Sequence, residues 1–127
     1  MLLAPVLVVD SNPELLATYQ QLLGRLGCRV VTARSRREAL QCLSCERLGL
    51  IVVDVRLLDG DGLDVVRVAC GTRTPPFVII VTGAPRDGNG RRAFEAGAPV
   101  YLTKPVGLHA FAVLLRELLR VFVADRR

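Results

Sequence analysis

Four residues in this chain combine suitable chemistry with a shared kind of position. Asp10, Asp54, Thr82 and Lys104 stand just past the ends of the apolar runs Val6–Val9, Leu50–Val53, Val78–Val81 and Val100–Leu102. A carboxylate can attack phosphorus and carry the group as an aspartyl phosphate. The transferring group spreads negative charge over its oxygens, so a protein must mainly supply position and positive charge. A second carboxylate could help hold magnesium, an ammonium could meet the phosphate as a point charge, and a hydroxyl could donate to a phosphoryl oxygen. Lys104 stands out for another reason. Sixteen of the 17 basic residues are arginine, and the one lysine lies here, directly before Pro105.

Such residues can act together only if a scaffold gathers the ends of the runs. With Val30–Thr32, five short β-branched runs alternate with longer amphipathic stretches, the pattern of a parallel sheet flanked by helices. Several runs are apolar at every position, as in strands covered on both faces. Ligands of open parallel sheets bind beyond the carboxyl ends of the strands, which is where the four residues fall.

The helices have legible ends. Asn12-Pro13-Glu14 offers a cap, a first-turn proline and an acid at the positive helix end; Leu15, Leu16, Tyr19, Leu22 and Leu23 follow at helical spacing, closed by Gly24 or Gly27. Ser35 with Glu38 predicts a capping box for a second helix through Leu43. A third is expected over Gly62–Cys70, ahead of Pro75-Pro76, and a fourth over Arg91–Ala96, with Gly88 and Gly90 weakening its start. In the last, Phe111, Leu114, Leu115, Leu118, Leu119 and Phe122 form a wide apolar stripe. Val113, Val121 and Val123 extend it, which makes that helix a candidate face for a homodimer. Five strands and five helices in alternation predict one doubly wound α/β domain over residues 1–127.

Composition narrows the function classes. A chain of 127 residues has room for a single hydrophobic core, and no apolar run approaches the roughly 20 residues of a membrane span. The first residues lack the features of a signal peptide, so a cytoplasmic protein away from membranes is expected. Cys28, Cys42, Cys45 and Cys70 are then expected as reduced, partly buried thiols; the Cys42/Cys45 spacing has no second pair with which to complete a zinc site. The net charge is +5, but the arginines are scattered and aromatic residues make up only 5%, which argues against direct nucleic-acid binding. Asp59-Gly60-Asp61-Gly62 lacks the distal glutamate of a calcium loop and reads as a polar turn feeding a helix. His109 has no partner for chemistry, and Gly83–Gly90 has glycines but no phosphate-loop lysine.

Val6-Leu-Val-Val-Asp10, Ile51-Val-Val-Asp54, Val81-Thr82-Gly83 and Tyr101-Leu-Thr-Lys104-Pro105 resemble the signature blocks of bacterial response-regulator receiver domains. Asp59-Gly-Asp-Gly62-Leu63 is similar to that family's turn after its phosphoacceptor, and Ala96-Gly97-Ala98 to its motif before the last strand. The resemblance covers essentially the whole chain. It implies a five-stranded parallel sheet flanked by five helices, flavodoxin-like and CheY-like, in two-component signal transduction. By resemblance, Asp54 takes the phosphoryl group from a histidine kinase or phosphotransfer protein. The domain would catalyse only its own phosphoryl transfer and hydrolysis. Asp10 resembles the first of an acidic pair that binds magnesium, with Asp54 and the Arg56 carbonyl as the other ligands. Thr82 and Lys104 resemble the switch hydroxyl and phosphate-contacting lysine, and Tyr101 the aromatic that follows the threonine. The family's Lys-Pro peptide is usually cis, which implies the same at Lys104–Pro105.

Three departures bear on the metal half of this set. Ser11 stands where the family has a second acid, Arg56 puts a bulky cation two residues after the acceptor, and Leu58 replaces a common proline. Magnesium binding is therefore expected to be weakened or lost. The alternative is a phosphate-independent pseudo-receiver, locked by an Arg56–Asp54 ion pair and used as a protein-interaction module.

Overall fold

Consecutive valine and isoleucine residues are stiff at χ1 and fit an extended backbone packed on both faces, and the apolar runs form strands. The computed structural model describes residues 5–83, 89–98, 100–104 and 107–125. The elements are β1 (Val6–Val9), α1 (Pro13–Arg25), β2 (Val30–Ala33), α2 (Arg36–Cys45), β3 (Leu50–Val53), β4 (Arg56–Leu57), β5 (Gly60–Asp61), α3 (Gly62–Cys70), β6 (Phe77–Thr82), α4 (Asn89–Ala96), β7 (Val100–Thr103) and α5 (Leu108–Asp125). The main sheet has the order β2-β1-β3-β6-β7 with every pairing parallel, and β4 and β5 make a separate two-stranded hairpin. The chain winds outward from β1 to β2, then returns to build on the other side from β3. The winding thus reverses between β1 and β3.

Alternation along the strands divides the interior in two. Leu7, Val9, Ile51, Val53, Val78 and Ile80 face α2, α3 and the residues around Ala96 and Ala98. Val6, Val8, Leu50, Val52, Ile79 and Val81 face α1 and α5, where Tyr19 and Phe111 pack with tilted rings 5.4 Å apart. On α5, Phe111 and Leu115 are buried, Leu114 and Leu118 pack on the core, and Leu108 and Val113 are exposed. The side chains of Leu119, Val121, Phe122 and Val123 lie outside the described set, as do Gly88 and the Lys104–Pro105 peptide.

Local chemistry explains most element ends and corrects several expected ones. Asn12 caps α1, accepting from the amides of Glu14 and Leu15. Gly24 lies inside that helix; Gly27, at φ +89°, is the residue beyond its end that glycine suits. Ser35 accepts from the Glu38 amide at 3.1 Å, but the Glu38 carboxylate accepts from Arg34, one residue short of a capping box. The helix it opens runs to Cys45, and Cys45 is exposed instead of partly buried. β6 includes Thr82 as its last residue, and α4 begins at Asn89 despite Gly90.

Candidate functional site

Asp10 and Asp54 each follow a strand by one residue, and β1 and β3 are hydrogen-bonded neighbours whose last residues, Val9 and Val53, lie in register. The two carboxylates therefore emerge side by side where the winding reverses, the expected ligand position in such sheets. Both are buried, at 3% and 7% exposure, a setting in which carboxylates need charged or hydrogen-bonding partners. They have them. Lys104 Nζ donates to Asp10 Oδ2 and to Asp54 Oδ2, each at 2.8 Å. The remaining oxygens accept backbone amides: Asp10 Oδ1 from Asn12 at 2.9 Å, and Asp54 Oδ1 from Arg56 at 3.1 Å.

Lys104 reaches this position because β7 lies beside β6, with Thr82 and Thr103 in register, and because the Lys104 amide donates to the Thr82 carbonyl at 2.8 Å. Burial disfavours its ammonium, yet the hydrogen bonds and charges of Asp10 and Asp54 outweigh that and hold its pKa above the ordinary value. Thr82 is fully buried. It follows Ile80 by two residues and so points to the α3–α4 side, where Tyr101, in register with Ile80, also packs. Ser11 is half-buried between Asp10 and Asn12 and brings no charge. Arg56 is exposed, and Lys104 supplies a cation on Asp54. Among the described residues no group of three or more histidines, cysteines, aspartates or glutamates forms that could hold a metal ion.

The structure adds contributors that residue types alone do not reveal. The amides of Asn12 and Arg56 carry no side-chain signature. Gly62 is more specific: a Cβ there would lie 2.0 Å from the Asp54 carbonyl oxygen, so only glycine lets α3 start against the Asp54 backbone. Its amide donates to the Val55 carbonyl at 2.7 Å. The repeated Asp-Gly pairs at 59–62 were the available signal, and Asp61 indeed caps α3 through the Leu63 amide.

The family model described as the response regulator receiver domain matches residues 6–116. The chain belongs to that family. It is 34% identical over 116 residues to the transcriptional regulatory protein KdpE of Mycobacterium tuberculosis, covering 91% of this chain and 50% of that protein. The receiver domain thus spans half the length of that curated relative. Among solved structures, it resembles a CheY-like receiver domain protein from Methanospirillum hungatei, with a TM-score of 0.88, 28% identity and coverage of 97% and 98% of the two chains. It also resembles a response regulator protein from Burkholderia pseudomallei solved with a phosphorylated aspartic acid, calcium ion and citrate. There the TM-score is 0.81 and the identity 26%, over 97% of this chain and 72% of that one. Receiver domains are signalling modules of two-component systems, and the fold described above is the CheY-like, flavodoxin-like one. Among the described residues no helix is long and apolar enough to cross a membrane.

Proposed function

We propose that Asp54 accepts a phosphoryl group from the phosphohistidine of a histidine kinase or phosphotransfer protein, and that the modified domain presents an altered surface to an output partner. The observation that carries this reading is the Lys104 ammonium 2.8 Å from both buried carboxylates. An Asp54 oxygen attacks phosphorus, the new O–P bond forms as the donor's N–P bond breaks, and the imidazole leaves with a proton from solvent. The Arg56 amide fixes the carboxylate's orientation. Lys104 offsets charge on the incoming oxygens, and the Thr82 hydroxyl donates to one of them. Movement of Thr82 toward the phosphate opens space on the side where Tyr101 packs, which links the site to α4, β7 and α5. The phosphorylated aspartic acid in the Burkholderia pseudomallei protein supports acceptor chemistry on this fold.

The oxygen donors are compatible with magnesium. Each carboxylate oxygen of Asp10 and Asp54 accepts a hydrogen bond and keeps a second lone pair. Asp10, Asp54 and the Arg56 carbonyl would hold the ion, completed by waters, and the ion would neutralise phosphoryl oxygens. With Lys104 paired, the two carboxylates retain one net negative charge, and Ser11 adds none. Weak affinity follows.

The test is to incubate the protein with acetyl phosphate and magnesium and measure intact mass. One added phosphoryl group on the parent and none on Asp54→Asn is expected. No addition to the parent counts against the proposal and favours a phosphate-independent interaction module. In that case, recovery of labelling by Ser11→Asp with Arg56→Asn would assign the loss to those two residues.

A further inference from the structure

Immediately after the acceptor, the β4–β5 hairpin is tied to three other elements by side chains that the phosphoryl chemistry leaves unused. Asp59, at its turn, receives the first amides of α2 across the fold: Arg36 N at 2.7 Å on Oδ1 and Arg37 N at 3.0 Å on Oδ2. Ser35 takes the next amide, from Glu38. The first turn of α2 is thus capped by two residues, one of them more than twenty positions away in sequence. The Arg36 side chain then runs along the hairpin. A Cβ at Gly60 would meet its Cδ at 2.8 Å, and its Nε pairs with Asp64 of α3 at 2.9 Å. On the opposite side, Asp61 pairs with Arg92 of α4.

The other end of the hairpin touches the acceptor. The Arg56 amide donates to Asp54 Oδ1, and the chain leaving β5 enters Gly62 against the Asp54 carbonyl. Arg56 and Asp61 are paired across the hairpin, so restraints on its tip are transmitted to that amide through two residues of ladder.

We propose that Asp59 is a positioning residue for the phosphoacceptor: by capping α2 from the β4–β5 turn, it holds the hairpin so that the Arg56 amide stays on Asp54 Oδ1. The coupling is reciprocal, so a change of partner at Asp54 Oδ1 also alters the cap on α2. The positioning role concerns the geometry of the unmodified protein. Its effect on phosphoryl transfer rests on the acceptor function proposed for Asp54.

The test uses Asp59→Ala and Asp59→Asn in the full chain, with amides followed by 15N NMR. In the unmodified protein, Asp59→Ala is expected to shift the Arg56 amide and speed its hydrogen exchange, along with those of Arg36 and Arg37. Asp59→Asn, which keeps one acceptor oxygen, restores most of the Arg56 signature, and it carries the comparison if the alanine variant does not fold. An unmoved Arg56 amide beside shifted Arg36 and Arg37 amides overturns the proposal, because Asp59 is then a helix cap and nothing more. In acetyl phosphate, Asp59→Ala is expected to gain the phosphoryl group several-fold more slowly than the parent, and labelling at the parental rate also overturns it. A parent that takes no label defeats the acceptor function instead, and the Arg56 amide still decides the role of Asp59.

Discussion

Lys104 is the residue on which the site balances. Two buried carboxylates share it, so removing it leaves like charges together without a cation, while removing one carboxylate leaves an intact pair. Lys104→Met is expected to lower unfolding free energy by about 2–3 kcal/mol. Asp54→Asn, which keeps the Lys104–Asp10 pair, should change it by less than about 1 kcal/mol. Urea denaturation of the two variants checks the contrast, and equal losses would contradict it. The pH dependence has two arms. Lys104 is held above its ordinary value of 10.5, so its contribution is complete below that pH and is lost as pH rises through the folded value. Asp59 is held below its ordinary 3.8 by the Arg37 and Arg36 amides, so its contribution is present above 3.8 and is lost as pH falls through the depressed value. Urea midpoints against pH should therefore lose part of their alkaline fall in Lys104→Met and part of their acid fall in Asp59→Asn.

Among the elements, legibility follows periodicity and local capping. The five main strands, Asn12, Ser35 and the start of α3 could be read because their signals lie within a few residues of one another. The four strand-end residues followed from the same pattern, since a parallel sheet gathers its carboxyl ends. The β4–β5 hairpin could not be read: two-residue strands have no period, and its hold on α2 depends on Asp59 meeting amides distant in sequence. The role of Gly62 was hidden for a related reason, because its constraint comes from the Asp54 carbonyl and not from its own turn. Gly62→Ala is expected to cost about 2–4 kcal/mol and to slow labelling of Asp54. At Gly24, inside α1, a Cβ meets nothing within 4 Å, and Gly24→Ala should stabilise by about 0.5–1 kcal/mol. Chemical denaturation of the two variants reads opposite signs.

Across the whole molecule, a sheet wound outward from β1 and β3 puts reactive groups from four strand ends at one edge and apolar groups on both faces. That division also governs the thiols. Burial raises the pKa of Cys28, Cys42 and Cys70, whereas Cys45 stands exposed at the end of α2. Maleimide at neutral pH should therefore modify one thiol per chain quickly, at Cys45, and the other three slowly; peptide mass mapping of the first product checks the order. The central claim concerns the opposite edge, where Asp10, Asp54, Thr82 and Lys104 meet. Borohydride reduces an acyl phosphate of aspartate to homoserine, so reduction after acetyl phosphate treatment, followed by peptide sequencing in the mass spectrometer, reads the acceptor directly. Homoserine at position 54 is the expected result. Homoserine at position 10, or at neither position in a chain that has gained a phosphoryl group, would contradict it.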